Sequence, residues 1–386
     1  MHFQMHKHSA VPTITNRSRP DKMVGTAHDR LYSYGRQGHR LCPPYATGHI
    51  PRNAGKLRLS AMLAGLLVVQ PALAQDGFYR GKTVTIVVGY SAGGGYDQYA
   101  RLVARHLGRH IPGQPSVIVQ NMPGAASMTS VRHLDANAAK DGTVITTFDP
   151  GLMLETIAAP ETYKVRFSDF RWIGTLLRDI RICYASTVSG IKTWQEMMAR
   201  KEFLIGNTAR GSNAYVNGAI LRKVFRAPVR QISGYPGSNE QRLALERGEL
   251  EGNCGSWTAI PQDWIVNHKI NALVRFSPKR PADMPASVPF VNDLASTQKQ
   301  KDLLDVLNGS GELGRPFIVA KQVPAERVAV LRAAFEAMVK DEGFLKEAQK
   351  QNLLLDPVTG EEAEKIIATI YAASPELTRR VKDVLE

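Results

Sequence analysis

The stretch GYSAGGGYD at residues 89–97 decides the fold, because it joins a predicted strand directly to a predicted helix. Residues 83–88, TVTIVV, are an apolar and largely β-branched run that predicts a buried strand. After the glycines, Asp97 is predicted to cap a helix. The apolar face of that helix is formed by Tyr99, Leu102, Val103 and Leu107. The sequence therefore predicts a strand, a tight glycine turn and a helix in succession.

The same alternation continues downstream of this turn. Residues 117–119 predict a second strand, residues 127–139 a second helix and residues 143–148 a third strand. Because a β-α-β-α-β order places strands side by side through helical crossovers, we expect a parallel sheet with right-handed connections.

A second α/β unit follows. Its predicted elements are a strand at 180–185, a helix near 193–200, a strand at 203–205, a helix over 216–224 and a strand at 271–276. Ser238 and Gln241 predict a capping box for a further helix, which Gly248 ends. The remaining residues are predicted to be helical, with Thr359 and Glu362 as another capping box.

Two such units predict the α/β class, with two α/β lobes and a ligand cleft between them. The second lobe is predicted to be inserted into the first. We expect lobe 1 to comprise residues 76–181 and, in its C-terminal part, residues 277–386, with lobe 2 at residues 182–276.

The N-terminal part of the chain predicts export. Arg52, Lys56 and Arg58 precede an apolar run at residues 59–69 that closes with the small-residue sequence Ala-Leu-Ala at 72–74. This pattern is typical of a secretory signal peptide, and the run is too short for the roughly 20 residues of a membrane span. We predict a signal peptide at 52–74, cleaved near Ala74, and a periplasmic protein. Residues 1–51 are interpreted as a poorly structured leader, included by a misplaced gene start.

Charge and composition exclude several function classes. Residues 1–74 carry 10 Lys and Arg against 2 Asp and Glu, so their removal lowers the formal net charge from +14 to +6. The remaining basic residues form no stripe with interleaved aromatics, so no nucleic-acid partner is predicted. The four His residues that remain have no metal-ligand spacing, and neither a metal nor a cofactor is expected. Cys183 and Cys254 either pair as a disulfide or stay buried as free thiols.

The glycine turn also contains a hydrolase-like motif. Gly89, Ser91 and Gly93 match G-x-S-x-G, and the strand before and helix after are the context that a nucleophile elbow requires. However, too few residues precede Ser91 for the strands and oxyanion hole of such an enzyme, and His268 is the last His in the chain. We therefore predict no catalytic residues and keep a serine hydrolase as the alternative.

The second interpretation uses the backbone. Successive glycines at a helix N-terminus expose N–H groups, and the helix dipole attracts an anion there. A carboxylate can be held in this way without any arginine.

Four segments, at residues 79–88, 92–97, 117–125 and 141–143, together resemble the Bug/TctC solute-binding receptors of tripartite tricarboxylate transporters. The resemblance implies a type II periplasmic-binding-protein-like fold and a monomer. It also implies capture of a small carboxylate by lobe closure and delivery to the large and small membrane subunits of a permease. A ligand sensor that uses the same fold is a further alternative.

The resemblance also implies the binding residues. One turn in each lobe holds the ligand, at residues 91–95 and 206–213, with further contacts from three other places in the chain. The predicted ligand-binding residues are Ser91, Ala92, Gly93, Gly94, Gly95, Phe148, Arg210, Gly211, Ser212, Asn213, Tyr235, Gly237 and Ser256. Arg210 is unusual for the family, and either pairs with a second carboxylate or lies on the surface.

Overall fold

The computed structural model describes residues 77–386, so the predicted leader and signal peptide lie outside the described residues. The strands are β1 (Thr83–Val88), β2 (Ser116–Asn121), β3 (Val144–Thr147), β4 (Arg171–Leu177), β5 (Ile182–Ser186), β6 (Phe203–Gly206), β7 (Val229–Ile232), β8 (Gly252–Asn253), β9 (Ile270–Arg275), β10 (Gly314–Val319) and β11 (Val358–Thr359). The helices are α1 (Gly95–Leu107), α2 (Met128–Ala136), α3 (Leu152–Ala158), α4 (Pro160–Tyr163), α5 (Trp194–Met198), α6 (Asn213–Val224), α7 (Ser238–Glu246), α8 (Gln262–Val266), α9 (Gln298–Gly309), α10 (Ala325–Met338), α11 (Glu342–Lys350), α12 (Gly360–Tyr371) and α13 (Pro375–Leu385).

The first lobe is built on a six-stranded sheet with the order β11-β4-β10-β3-β1-β2. Strand β1 pairs in parallel with both β2 and β3, which confirms the predicted β-α-β-α-β arrangement. Strand β10 returns from the C-terminal part of the chain and runs antiparallel between β3 and β4. Since β1 lies inside the sheet, four of its six residues are buried, as its continuous apolar sequence predicts.

The second lobe is built on a five-stranded sheet with the order β7-β6-β8-β5-β9. Strand β6 pairs in parallel with β7 and β8, while β5 runs antiparallel to β8 and β9. Two sheets with helices packed on them confirm the predicted α/β class and the two-lobed architecture. Each predicted strand of this unit is present, with its bounds shifted by one or two residues.

The packing differs from the predicted lobe bounds in the C-terminal part of the chain. Leu303, Leu304 and Leu307 of α9 pack in the second hydrophobic core with residues of β5, β6 and α6. Val381 and Val384 of α13 join the same core, whereas α10 and α12 pack on the first. Residues 277–386 are therefore shared between the lobes. The chain crosses between them after β4, after α9 and after α12.

Three of the predicted helix caps can be compared with the structure. Thr359 accepts a hydrogen bond from the Glu362 backbone N–H, which confirms this cap. The prediction for Asp97 was wrong, because α1 begins at Gly95 and Gly94 occupies the N-cap position. Asp97 instead lies in the first turn and accepts a hydrogen bond from the Gly93 backbone N–H at 2.8 Å. Ser238 does not cap α7 either, because its N-cap residue is Gly237.

Cys183 and Cys254 form a disulfide, which resolves the alternative left by the sequence. Both residues are fully buried in the second core. Between residues 77 and 386, none of the helices is both long and apolar enough to cross a membrane.

Candidate ligand-binding site

A cavity of about 80 Å³ lies between the two lobes. By a measure in which about 10–15 Å³ holds one water, this volume suits a small organic molecule. From the first lobe it is lined by Tyr90, Gly94, Gly95, Tyr96, Asp149 and Arg315, and at the crossing after β4 by Asp179. From the second lobe it is lined by Tyr184, Thr208, Ser212, Asn213, Ala214, Ser238, Gln241, Arg242, Asn253, Gly255, Ser256, Ala259 and Ile260.

The glycine turn of the first lobe contacts the N-terminus of α7 in the second lobe. Ser91 Oγ donates a hydrogen bond to Glu240 Oε2 at 3.0 Å, and the Ser91 backbone N–H donates to the Pro236 carbonyl at 3.3 Å. Asn239 Nδ2 donates to the Ala92 carbonyl at 3.3 Å. Ser238 Oγ accepts from the Gly95 backbone N–H at 3.4 Å instead of capping its own helix. These contacts close one side of the cavity, so the two lobes are in a closed arrangement.

A carboxylate of the protein occupies the N-terminus of α6. Asp149 follows β3, and its Oδ2 accepts hydrogen bonds from the Asn213 backbone N–H at 3.0 Å and from the Tyr90 hydroxyl at 2.9 Å. Its Oδ1 accepts from the Gly151 backbone N–H at 2.9 Å. Burial raises the pKa of the Asp149 carboxyl, although these donors and the charge of Arg315 oppose the shift. Asp149 thus joins the first lobe to the turn at residues 206–213 of the second lobe.

Arg315, on β10, places a buried cation beside the cavity. Its side chain is 2% exposed, and its Nη2 donates to Ser256 Oγ at 3.2 Å and to Thr258 Oγ1 at 3.0 Å, both in the second lobe. The guanidinium carbon lies 4.3 Å from the ring centroid of Tyr96, within cation–π range. Arg315 has φ +64°, a left-handed conformation that a strand residue other than glycine rarely adopts.

Asp179 is the buried partner of this cation. Arg315 Nη1 lies 3.7 Å from Asp179 Oδ2, and Ser256 Oγ donates to Asp179 Oδ1 at 2.5 Å. Several polar atoms of the cavity-lining residues find no hydrogen-bond partner among the described residues. They are Asp179 Oδ2, Arg315 Nε, Thr208 Oγ1 and the hydroxyl of Tyr96. Because buried polar groups are nearly always satisfied in folded proteins, these atoms make the cavity a candidate site for a polar ligand or for ordered water.

Five of the thirteen predicted binding residues line the cavity: Gly94, Gly95, Ser212, Asn213 and Ser256. Ser212 also caps α6, because its Oγ accepts from the Tyr215 backbone N–H at 3.2 Å and donates to the Ala209 carbonyl at 2.9 Å. Its hydroxyl proton is therefore already used within the protein. Ser91 and Ala92 hold the lobes together at the edge of the cavity rather than lining it.

Gly93 and Gly237 also belong to this inter-lobe contact. A Cβ at Gly237 would lie 2.4 Å from Ser91 Oγ, and one at Gly93 would lie 2.6 Å from Asn239 Nδ2. A side chain at either position would therefore displace one of these two inter-lobe groups, which glycine avoids. Gly211, at φ +87°, packs its carbonyl against Gly151 and likewise lies beside the cavity without lining it.

Phe148, Arg210 and Tyr235 lie away from the cavity, which corrects their predicted positions. Phe148 stacks on Phe167 at 4.5 Å between ring centroids in the first core, because it points to the buried face at the end of β3. Arg210 Nε donates to both carboxylate oxygens of Glu155 at 3.0 Å, so its charge is neutralised by a residue of α3. Tyr235 packs beside Gly206 and against an apolar cluster of the second lobe that includes Ala244 and Leu245 of α7.

The sequence did not predict the most polar part of the site, Asp179 with Arg315. A single charged residue inside the apolar stretch of β10, Gly314–Val319, was the available signal for Arg315. Asp179 follows β4 at the crossing between the lobes, where it resembles any loop aspartate.

The two-lobed fold is matched by several solved structures. The periplasmic binding protein BugD gives a TM-score of 0.64 at 19% identity, with 79% of this chain and 98% of BugD covered. The chain has the Bug/TctC fold. MatC of Rhodopseudomonas palustris, solved with bound malate, gives 0.62 at 19% identity over 79% of this chain and 99% of MatC. The Bug/TctC resemblance predicted from sequence is thereby confirmed at the level of the fold.

Two further comparisons agree with the Bug/TctC fold. A TctC solute-binding protein from Polaromonas gives a TM-score of 0.53 at 22% identity, covering 80% of this chain and 99% of that protein. A UPF0065 protein in the gbd 5' region of Cupriavidus necator is 26% identical over 253 residues, which is 64% of this chain and 74% of that protein. No protein-family model matches the chain.

Proposed function

We propose that the protein is a periplasmic solute-binding receptor that captures a small carboxylate and delivers it to the permease of a tripartite tricarboxylate transporter. The observation that carries the proposal is the polar cavity closed between the two lobes, beside which Arg315 is buried. Relatives of the same fold were solved with malate and with adipate, which supports a carboxylate as the ligand class.

The proposed mechanism is lobe closure around the ligand. Gly94 and Gly95 bring the N-terminus of α1 to the cavity, where the helix dipole and backbone N–H groups favour an anion. Contacts such as that of Ser91 with Glu240 form only when the lobes approach. A ligand that bridges the lobes therefore selects the closed form, which the permease recognises.

The arrangement around Ser91 disfavours the hydrolase alternative. A serine nucleophile needs a general base, most often histidine, within hydrogen-bond reach. Ser91 Oγ donates to the carboxylate of Glu240 in the other lobe, and none of its hydrogen bonds within the described residues is to a histidine. This hydrogen bond serves lobe closure, and the proposal assigns Ser91 no catalytic role.

Thermal unfolding against a panel of mono-, di- and tricarboxylates and amino acids tests the proposal, because a ligand that binds only the folded state raises the midpoint. We expect one acid to raise it clearly and to reduce the radius of gyration in small-angle X-ray scattering. Esterase assays on the wild type and on Ser91→Ala serve as the control for the alternative. A midpoint that no acid changes, or ester hydrolysis that is lost in Ser91→Ala, would contradict the receptor proposal.

A further inference from the structure

We propose that the ligand is a small zwitterion, a carboxylic acid that also carries a protonated amine, and that Asp179 binds the amine. This inference rests on the proposed function and narrows its ligand class. The fold alone does not distinguish such a ligand from a dicarboxylate such as malate.

Asp179 is held as a fixed acceptor with one oxygen left over. It is 3% exposed, its backbone N–H donates to the Gly311 carbonyl at 2.7 Å, and its carbonyl accepts from Ser277 Oγ at 2.7 Å. Oδ1 is satisfied by Ser256, but Oδ2 accepts no hydrogen bond from the described residues. Arg315 Nη1, at 3.7 Å, is too far from Oδ2 for a good hydrogen bond. A buried acceptor in this state lacks a donor, and the N–H of a ligand ammonium group supplies one.

The charges around the cavity point to a ligand with little net charge. The ionisable acids that line it are Asp149 and Asp179, and the bases are Arg242 and Arg315, so the lining is balanced. Arg181 is fully buried, donates to Oδ1 of the lining residue Asn213 at 3.1 Å, and adds one positive charge. At most one negative charge of a ligand is therefore compensated, whereas a dicarboxylate brings two. Since an uncompensated buried charge is strongly unfavourable, the balance favours a zwitterion over a di-acid.

Asp149 has no carboxylate oxygen that lacks a hydrogen-bond donor, so it is not the acceptor for the ammonium group of the ligand. Its carboxylate already accepts hydrogen bonds from Tyr90, Gly151 and Asn213. Its negative charge nevertheless remains next to the cavity and adds to the repulsion of a second carboxylate on the ligand. Of the two lining acids, only Asp179 therefore has an oxygen left for a ligand donor.

Donors for the carboxylate end of the ligand line the same cavity. Gly94 and Gly95 present the N-terminus of α1, and Arg315 Nε has no partner among the described residues. Tyr96 and Thr208 add hydroxyl groups that are likewise unpartnered. The site thus combines one free anionic acceptor with several free donors, which is the complement of an ammonium and a carboxylate on one small molecule.

Matched ligand pairs test the inference on the purified protein by isothermal titration calorimetry. Alanine is compared with propionate, aspartate with succinate, and glutamate with glutarate, so that each pair differs only in the amine. We expect the amino acid of the best pair to bind at least about tenfold more tightly than its partner. Asp179→Asn should weaken amino-acid binding about 10- to 100-fold, as expected for the loss of a charge-assisted hydrogen bond. The same substitution should have a smaller effect on the binding of the acid that lacks the amine.

Asp263→Asn is the matched control, because Asp263 is exposed and pairs with Lys269 on the surface of the second lobe. It should leave both affinities unchanged. If Asp179→Asn does not fold, the preference of the wild type within the pairs decides alone. Binding of succinate or glutarate as tight as that of the matched amino acid would overturn the inference while leaving a carboxylate receptor. Binding of neither class would overturn both proposals.

Discussion

Asp149 Oδ2 accepts a hydrogen bond from the backbone N–H of Asn213 at 3.0 Å, which places a carboxylate of the first lobe on the first turn of helix α6 in the second. A helix N-terminus favours an anion, and here the protein provides that anion itself. This leaves the N-terminus of α1 as the helix end that can bind the carboxylate of the proposed ligand. The turn at residues 206–213 in the second lobe contributes to lobe closure through its hydrogen bond with Asp149.

The ion pair between Arg315 and Asp179 should be important for stability. Arg315→Met keeps most of the side-chain volume but leaves the buried Asp179 carboxylate without its cation. Removing one partner of a buried pair is expected to lower the free energy of unfolding by about 3–5 kcal/mol. Urea unfolding measures the change. Arg230→Met, at an exposed pair with Glu202, should cost no more than about 1 kcal/mol, and equal losses in both variants would contradict the prediction.

Gly151 should be required for full lobe closure. A Cβ at this position would lie 2.7 Å from the Gly211 carbonyl oxygen and 2.9 Å from the Asn213 backbone nitrogen, and neither backbone atom can move aside independently. The residue has helical φ and ψ, so alanine is compatible with its conformation. Gly151→Ala should therefore weaken ligand binding by at least about tenfold with little loss of stability, a difference of about 1.4 kcal/mol in binding.

Titration calorimetry and small-angle scattering check this expectation for Gly151→Ala. The scattering of the variant with saturating ligand should remain that of a more open molecule than the wild type. Gly77→Ala serves as the control, because its Cβ would meet no atom within 4 Å. Wild-type affinity in Gly151→Ala would show that the two backbones need not approach so closely.

The disulfide between Cys183 and Cys254 should stabilise the second lobe. It closes a loop with a sequence separation of 71, for which the chain-entropy model gives about 4 kcal/mol. The double variant Cys183→Ala with Cys254→Ala should lose stability of this order in denaturant unfolding. Reductant should lower the stability of the wild type and not that of the double variant. Unfolding of the wild type that does not respond to reductant would contradict the pairing.

Asp149 should make stability depend on pH in the direction opposite to that of most carboxylates. Because burial raises its pKa in the folded protein, the folded state takes up a proton at a higher pH than the unfolded state. Its contribution to stability is therefore full below the unfolded pKa and is lost as pH rises through the folded pKa. Wild type should gain stability relative to Asp149→Asn between pH 7 and pH 4, by about 1.4 kcal/mol per unit of pKa difference.

Urea unfolding of both proteins at several pH values measures this difference. Asp263→Asn, at an exposed carboxylate, corrects for the loss of one acid from the surface. A wild type that loses stability relative to Asp149→Asn on acidification would show that the hydrogen bonds from Gly151, Asn213 and Tyr90 outweigh the burial of Asp149.

Features determined by neighbouring residues could be predicted from the sequence. The strand before Gly89, the cap at Thr359 and the alternation of the first lobe all depend on patterns within a few positions. The predicted cap at Asp97 was wrong because the helix already begins at Gly95, so that Asp97 lies in its first turn and accepts a hydrogen bond from the Gly93 backbone N–H.

The chemistry of the cavity could not be predicted in this way. Arg315 and Asp179 lie far apart in the chain, and neither is part of a motif. They meet because β10 returns to the first sheet beside β4, a pairing that a single sequence does not reveal. Arg210, in contrast, was noticed because it lies inside a recognisable turn, but α3 supplies its partner Glu155 from elsewhere in the fold.

The three crossings of the chain between the lobes affect how such proteins can diversify. A lobe that was connected once or twice could be exchanged for another by simple recombination of gene segments. Here, exchange would need junctions after β4, after α9 and after α12 to be compatible at the same time, and α13 would have to fit the new lobe. New ligand preferences should therefore arise by point substitution around the cavity rather than by shuffling of lobes.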